Sequence, residues 1–249
     1  MPNVETYHWS ARTERLTKLA AEYDLQLEPK GRFFEAPGLR VHVPLVLPLP
    51  ASAGEGERRP STQEVAAQKA ERSRRATSGP SAAVARYLAD SPATPGRQCL
   101  ILMQAGAVAL GYFAADEVLA TKTLKRYVVR GKGRAQPTYL AAKGKSRYGS
   151  RLRLQNARLL FEETNEKLGE YWAEFGPAEQ LFVAAPTRLW PELFLAKTAP
   201  PFPRDTPTVR IPLDLDVPHT DLLLRTHKAL SYGRIEWRDE RAEEPSPSS

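Results

Sequence analysis

Residues 122–158 contain twelve Lys or Arg and not one Asp or Glu. Unpaired charges cannot be moved out of water without a cost of several kcal/mol each, on the order of a small domain's whole stability. This stretch therefore cannot supply a buried element along its length, and its first part must be held at the surface by whatever flanks it. The whole chain carries 36 basic and 29 acidic residues, a net charge of +7. Without those twelve, 24 basic residues face 29 acidic ones, a balance of −5. All of the positive character thus comes from one segment on a mildly acidic body. A solvated surface normally interleaves both signs, so the asymmetry points to a polyanion-binding face.

The core of the segment, RGKGRAQPTYLAAKGKSRYGSRLRLQN from Arg130 to Asn156, also holds Gly131, Gly133, Gly144 and Gly149. A long glycine-bearing loop within a compact domain is uncommon unless it is functional or disordered. RNA fits its chemistry, because Lys and Arg release counterions from phosphates while Tyr139 and Tyr148 offer flat faces for unpaired bases. Packing at the loop base is the alternative role for those tyrosines. The loop has no carboxylate and no metal-binding cluster, which excludes paired-acid catalysis and a metal centre within it. Its uncharged amide side chain before Pro137 is Gln136, which the proline restricts to extended backbone.

The rest of the chain reads as a soluble globular protein, 41% hydrophobic and 26% charged. No apolar run approaches the ~18 residues of a membrane-spanning helix, and the N-terminus lacks a secretory pattern. The single cysteine, Cys99, excludes an internal disulfide, sits in an apolar run that predicts core packing, and fits a reducing, cytoplasmic setting.

Patterning predicts a helix over 6–24 with Ser10 as N-cap, then a strand carrying Leu39, Val41, Val43 and Leu45. Prolines around that strand place it at an edge or in an extended arm, so 1–50 is expected to be a helix and arm. Residues 51–96 read as a flexible low-complexity linker, with a capping box from Ser61 to Glu64 and a short helix near 82–88. A compact domain is predicted over 97–238. CLILMQAGAVALGYF is a hairpin turning at Gln104-Ala105-Gly106, and a third strand is expected near 124–129. A long helix from Ser150 repeats Leu154, Ala157, Phe161, Thr164, Leu168 and Trp172 at steps of three and four until Gly176-Pro177. LFVAAP and TVRIPLDL are strands, a helix runs from about His219 to Leu230, and GRIEW closes as the last strand. This order predicts an α/β (α+β) fold with one mixed sheet covered by helices. Residues 239–249 read as a disordered acidic tail.

GRAQ at 133–136, AKGK at 142–145 and LRLQN opening the long helix resemble the Vms-type branch of the eukaryotic and archaeal class-1 peptide-chain release factors. YVVRGKGRAQ and the later IPLDLDVPHTDLLLRTHKAL extend the similarity over roughly 100–237. The resemblance implies a release-factor central-domain fold with a ribonuclease-H-like layout, and a peptidyl-tRNA hydrolase whose loop enters the peptidyl transferase centre of the ribosome. Gln136 then takes the place of the catalytic glutamine, placing a water or stabilising the leaving ribose oxygen, with Gly133, Arg134 and Ala135 as the residues before it. Arg130, Lys132, Lys143, Lys145, Arg147, Arg151 and Arg153 would meet rRNA or tRNA phosphates. No cofactor, metal or membrane is implied. Arg134-Ala135 replaces the Gly-Gly of release factors proper, which reduces backbone freedom, and Pro137 removes an N–H just after the glutamine. The chain has no room for a codon-reading domain, so its action is expected to be codon-independent. A non-catalytic rRNA- or tRNA-binding ribosome factor, and cleavage at the tRNA 3′ end, are the alternatives.

Elsewhere, His219 and His227 lie eight apart with no third ligand nearby. Asp214 and Asp216 precede the last helix, where capping and the helix dipole favour acids. His42 reads as a strand residue. Trp9, Trp172, Trp190 and Trp237 read as packing residues, with Trp190 in a loop within reach of a partner.

Overall fold

The computed structural model of the chain describes residues 3–28, 33–50, 81–127, 145–211 and 216–238. In chain order its elements are β1 (Asn3–His8), α1 (Arg12–Glu22), β2 (Gln26–Leu27), β3 (Phe33–Ala36), β4 (Leu39–His42), α2 (Ala82–Asp90), β5 (Arg97–Gln104), β6 (Ala107–Ala114), β7 (Glu117–Lys125), α3 (Lys145–Phe175), β8 (Gln180–Ala184), α4 (Trp190–Leu193), β9 (Val209–Arg210), α5 (Thr220–Leu230) and β10 (Tyr232–Trp237). They divide into two compact units, Met1–Thr94 with Ala229–Ser249, and Pro95–Lys228.

The first unit is a five-stranded sheet in the order β1-β10-β4-β3-β2. This overturns the expectation of one mixed sheet preceded by a helix and arm. Residues 3–8 are strand rather than the start of a helix, because they pair along their whole length with β10 and bury Tyr7. Ser10 is not an N-cap: a 3-10 turn, Trp9–Ala11, intervenes, and α1 starts at Arg12. β4 is central rather than an edge, since Pro37 and Pro44 bound the strand instead of interrupting its ladder. Pro37-Gly38 makes the β3–β4 hairpin turn, Gly38 taking φ +69°. GRIEW, expected to close the other sheet, is β10 here and lies between β1 and β4.

Leu16, Leu19 and Ala20 of α1 and Val84 and Tyr87 of α2 pack with Phe34, Val41 and Ile235 in the core of this unit. α2 confirms the helix predicted near 82–88, and Ser81 caps it by accepting from the Val84 N–H. Arg12 is buried and donates to the carbonyls of Trp9 and Ala93 at 3.3 Å and to that of Pro92, so its charge is solvated by backbone dipoles. The capping box at Ser61 and Glu64 and the tail over 239–249 lie outside the described residues.

The second unit is a five-stranded sheet in the order β7-β6-β5-β8-β9. β5, β6 and β7 run antiparallel, whereas β8 and β9 join parallel to β5. This mixed α/β arrangement is the ribonuclease-H-like order of the expected fold class. The hairpin falls where it was predicted, with Gly106 at φ +87° between β5 and β6. β7 spans Glu117–Lys125 rather than 124–129. It is an edge strand whose exposed Lys122 and Lys125 guard against pairing with another chain.

β5 is buried from Gln98 to Met103, so both faces of the sheet must be covered. Cys99, Ile101 and Met103, with Val108, Leu110 and Tyr112 opposite, pack against Leu160, Phe161, Leu168 and Tyr171 of α3. Cys99 is thus a core residue, as predicted, and burial raises its thiol pKa. Tyr112 donates to the Gly176 carbonyl at 2.5 Å, where Gly176 ends α3 at φ +84°. Burial above all pushes its hydroxyl up to about 12, so it remains a donor. The residues of opposite pleat meet α5. A Cβ on Gly111 would come within 2.9 Å of Leu223, and the His227 ring stacks on Phe113 at 3.7 Å with an interplanar angle of 3°. The His227 Nε2 lies 2.8 Å from the Gln98 Oε1.

Two predictions follow from these contacts. Gly233 stands opposite Tyr7, and a Cβ there would fall 2.4 Å from the Tyr7 ring and 2.6 Å from the His42 carbonyl oxygen. That carbonyl also accepts from the Tyr7 hydroxyl at 3.1 Å, so the ring has no free direction to move. Gly233→Ala is expected to destabilise the protein by about 2 kcal/mol in denaturant unfolding; a loss under about 0.5 kcal/mol would show that the strands shift freely. Burial pushes His227 down to about 4, against the upward pull of Asp116. Its folded pKa lies below the unfolded value of about 6.5, so the unfolded chain binds the proton more readily. The contribution to stability is complete above about pH 6.5 and is lost as pH falls towards 4. Ring-proton NMR should show His227 titrating near 4, with the wild-type unfolding midpoint dropping more steeply across that window than in His227→Gln. A titration near 6.5 would refute the buried neutral ring.

Candidate nucleic-acid interface

The acid-free segment is described on both sides, up to Tyr127 after β7 and from Lys145 in α3. Arg130, Lys132, Gly133, Arg134, Ala135, Gln136, Tyr139 and Lys143 lie outside the described residues. Lys145, Arg147, Tyr148, Arg151 and Arg153 fall on the first three turns of α3. The sequence reading started this helix at Ser150; it begins five residues earlier and takes in these basic side chains.

α3 is 31 residues, about 46 Å long, and among its described residues burial begins only after Gln155. Arg151, Leu152, Leu154 and Gln155 are exposed, Asn156 and Ala157 are half-buried, and Leu160 and Phe161 are buried. Leu154, expected on the apolar face, is 57% exposed. Its spacing is right for that face, but the sheet does not reach so far along the helix. Asn156 is about 16 Å along the axis from Lys145. Lys145, Arg147, Arg151 and Arg153 all precede Asn156 on the helix.

The charge there opposes the helix's own field. A helix N-terminus carries a partial positive charge, which acids in the first turn ordinarily stabilise. α3 has none in its first turn, and its first acids are Glu162 and Glu163. Each cation placed at this end costs a few tenths of a kcal/mol. An anion at this end would offset the unfavourable sum.

A set of polar contacts joins the end of β7 to α3. The Arg126 guanidinium grips the Glu163 carboxylate in a two-pronged fork, Nε to Oε2 at 3.1 Å and a terminal nitrogen to Oε1 at 2.6 Å. The Arg126 backbone N–H donates to the Gly106 carbonyl of the β5–β6 turn at 2.8 Å. The Asn156 Nδ2 donates to the Tyr127 carbonyl, also at 2.8 Å. Tyr127 itself is 56% exposed, so the chain reaches the surface at the point where its backbone is tied to the helix. Sequence reasoning missed Arg126, Glu163 and Asn156 as a set. Two signals existed: Asn is a poor residue for a helix interior unless its amide has a task, and Glu162-Glu163 ends the acid-free run.

The other candidates resolve into the fold. His227 stacks in the core, and His219 sits 2.9 Å from the Val217 carbonyl through its Nδ1. Asp216 is exposed beside α5, and Asp214 lies outside the described residues. His42 is a strand residue of β4, as read, and lies 3.7 Å from Glu236. Trp9 is buried and Trp172 half-buried. Trp190 opens α4 rather than lying in a loop, and packs on Phe194 and Phe202. Asn165 of α3 holds that region by donating to the Leu193 and Thr198 carbonyls at 2.8 and 2.7 Å.

Among solved structures, the chain is similar to one titled "Vms1 mitochondrial localization core", with a TM-score of 0.39 and 12% identity over 90% of this chain and 80% of that one. No curated protein matches it. Residues 98–237, more than half of the chain, match the Bacteroidetes VLRF1 release factor family. That span includes β5 to β9, the acid-free segment and α3, and on it the chain belongs to the Bacteroidetes VLRF1 release factor family.

Proposed function

We propose that this protein is a ribosome-associated, codon-independent peptidyl-tRNA hydrolase of ribosome rescue and quality control, acting in the cytoplasm. The observation that carries this reading is the release-factor family match, whose span brackets GRAQ at 133–136. The acid-free first turns of α3 support it, since a polyanion suits a basic helix N-terminus.

The substrate is the ester joining a nascent peptide to tRNA. Gln136 is the catalytic residue, acting through its amide side chain and backbone N–H on the attacking water or the departing ribose oxygen. Neither group donates or removes a proton at neutral pH. The contribution is positioning and dipole stabilisation, and the surrounding RNA of the peptidyl transferase centre completes the site. Gly133, Arg134 and Ala135 shape the backbone before the glutamine. Lys143, Lys145, Arg147, Arg151 and Arg153, with Arg130 and Lys132, neutralise rRNA and tRNA phosphates. The reaction needs no cofactor.

Purified ribosomal complexes carrying peptidyl-tRNA provide the test. Gln136→Ala should slow peptide release by about 100-fold, the cost of one well-placed hydrogen-bonding group, while leaving ribosome binding intact. Release at the wild-type rate would remove the enzymatic assignment. Lys143→Glu with Lys145→Glu should abolish co-sedimentation with ribosomes, and wild-type binding should weaken steeply with salt. Binding without release in any form of the protein would establish a non-catalytic ribosome factor. Shortened tRNA 3′ ends would instead reveal cleavage of the RNA.

A further inference from the structure

We infer that Asn156, Arg126 and Glu163 form a positioning clasp that sets where the catalytic segment leaves the body of the protein; this rests on the hydrolase reading above. The geometry is specific. Residues 128–144 start immediately after Tyr127, whose carbonyl accepts from the Asn156 Nδ2 at 2.8 Å. One residue earlier, Arg126 is held three ways, by its backbone N–H on Gly106 and by both prongs on Glu163. Asn156 and Glu163 are seven residues apart, two turns of α3, so both project from one side of the helix. They fix the end of β7 against the helix in register as well as in distance.

Two observations argue against a merely stabilising role. Arg126 and Glu163 retain 29% and 41% of their side-chain exposure, and ion pairs so hydrated contribute little to folding. The sheet and helix are already joined through Leu160, Phe161 and Leu168 without them. What the clasp adds is direction. It also marks the boundary of the packed helix, with exposed Arg151, Leu152 and Leu154 on one side and buried Leu160 on the other. A chain that hydrolyses an ester by placing one amide against it depends on such a fixed base, because a misplacement of about 1 Å can cost about 100-fold in rate.

The test separates rate from binding in full-length protein. Asn156→Asp replaces the donor by an acceptor facing the Tyr127 carbonyl, and Arg126→Glu sets like charges together. Under single-turnover conditions at saturating protein, each should slow peptidyl-tRNA release by about tenfold or more. The concentration for half-maximal release should change by less than about threefold, and the thermal unfolding midpoint should stay near wild type. The charge-exchanged pair Arg126→Glu with Glu163→Arg should recover most of the lost rate. Recovery would assign the effect to the pair rather than to either charge alone. Wild-type release rates in Asn156→Asp and Arg126→Glu, alongside a slow Gln136→Ala, would overturn the clasp and leave the hydrolase reading intact. Equal losses of rate and binding would overturn it as well, by showing a general role in docking. If Gln136→Ala releases peptide normally while the clasp variants do not, it is the assignment of Gln136 that fails.

Discussion

The burial of β5 on both faces is the constraint from which the architecture of the second unit follows. A strand with no exposed residue between Gln98 and Met103 must have neighbours on both edges and covers above and below. β6 supplies one edge through a two-residue turn, but the parallel β8 requires a crossover, and α3 is that crossover. The helix is placed by the odd-numbered residues of β5, which present Cys99, Ile101 and Met103 to it. The even-numbered side receives α5 through Gln98 and through Gly111 and Phe113 of β6. Once α3 is fixed across the sheet, Asn156 and Glu163 meet the end of β7.

That placement explains how a protein with a mildly acidic body tolerates an acid-free basic run. The body concentrates its apolar contacts on α3 from Leu160 onward, while Arg151, Leu152, Leu154 and Gln155 are exposed. Charges in water cost little, and the local penalty at a helix N-terminus is small. The electrostatic separation is therefore a consequence of where packing stops, and Asn156 sits at that border.

The sequence made the second unit largely legible. Periodicity located the β5–β6 hairpin, the long helix with its Gly176 stop, the β8 strand and α5, and the GRAQ setting pointed to the release-factor family. These features survive because each is dictated locally, by a glycine that can take positive φ or by apolar side chains at helical spacing. The first unit was misread because its sheet is made of segments far apart in the chain. Residues 3–8 carry a weak pattern that a helix or a strand could satisfy, and pairing with β10, more than 220 residues away, decides the matter. The prolines near β4 suggested an edge because position relative to the ladder cannot be read from composition.

By itself, then, the sequence determined the sign and location of the charge, the β5–β6 hairpin, the burial of Cys99 and the family. Tertiary structure alone decided that β10 belongs with β1 and β4, that Leu154 stays in water and that His227 is a core residue. It also decided that Arg126, Glu163 and Asn156 converge on the base of the basic segment. The physical reason is the same in each case. Charge, turn conformation and apolar spacing are properties of neighbours in the chain. Strand partners, the reach of a sheet along a helix and the meeting of Tyr127 with Asn156 depend on distances that exist only once the crossover has closed.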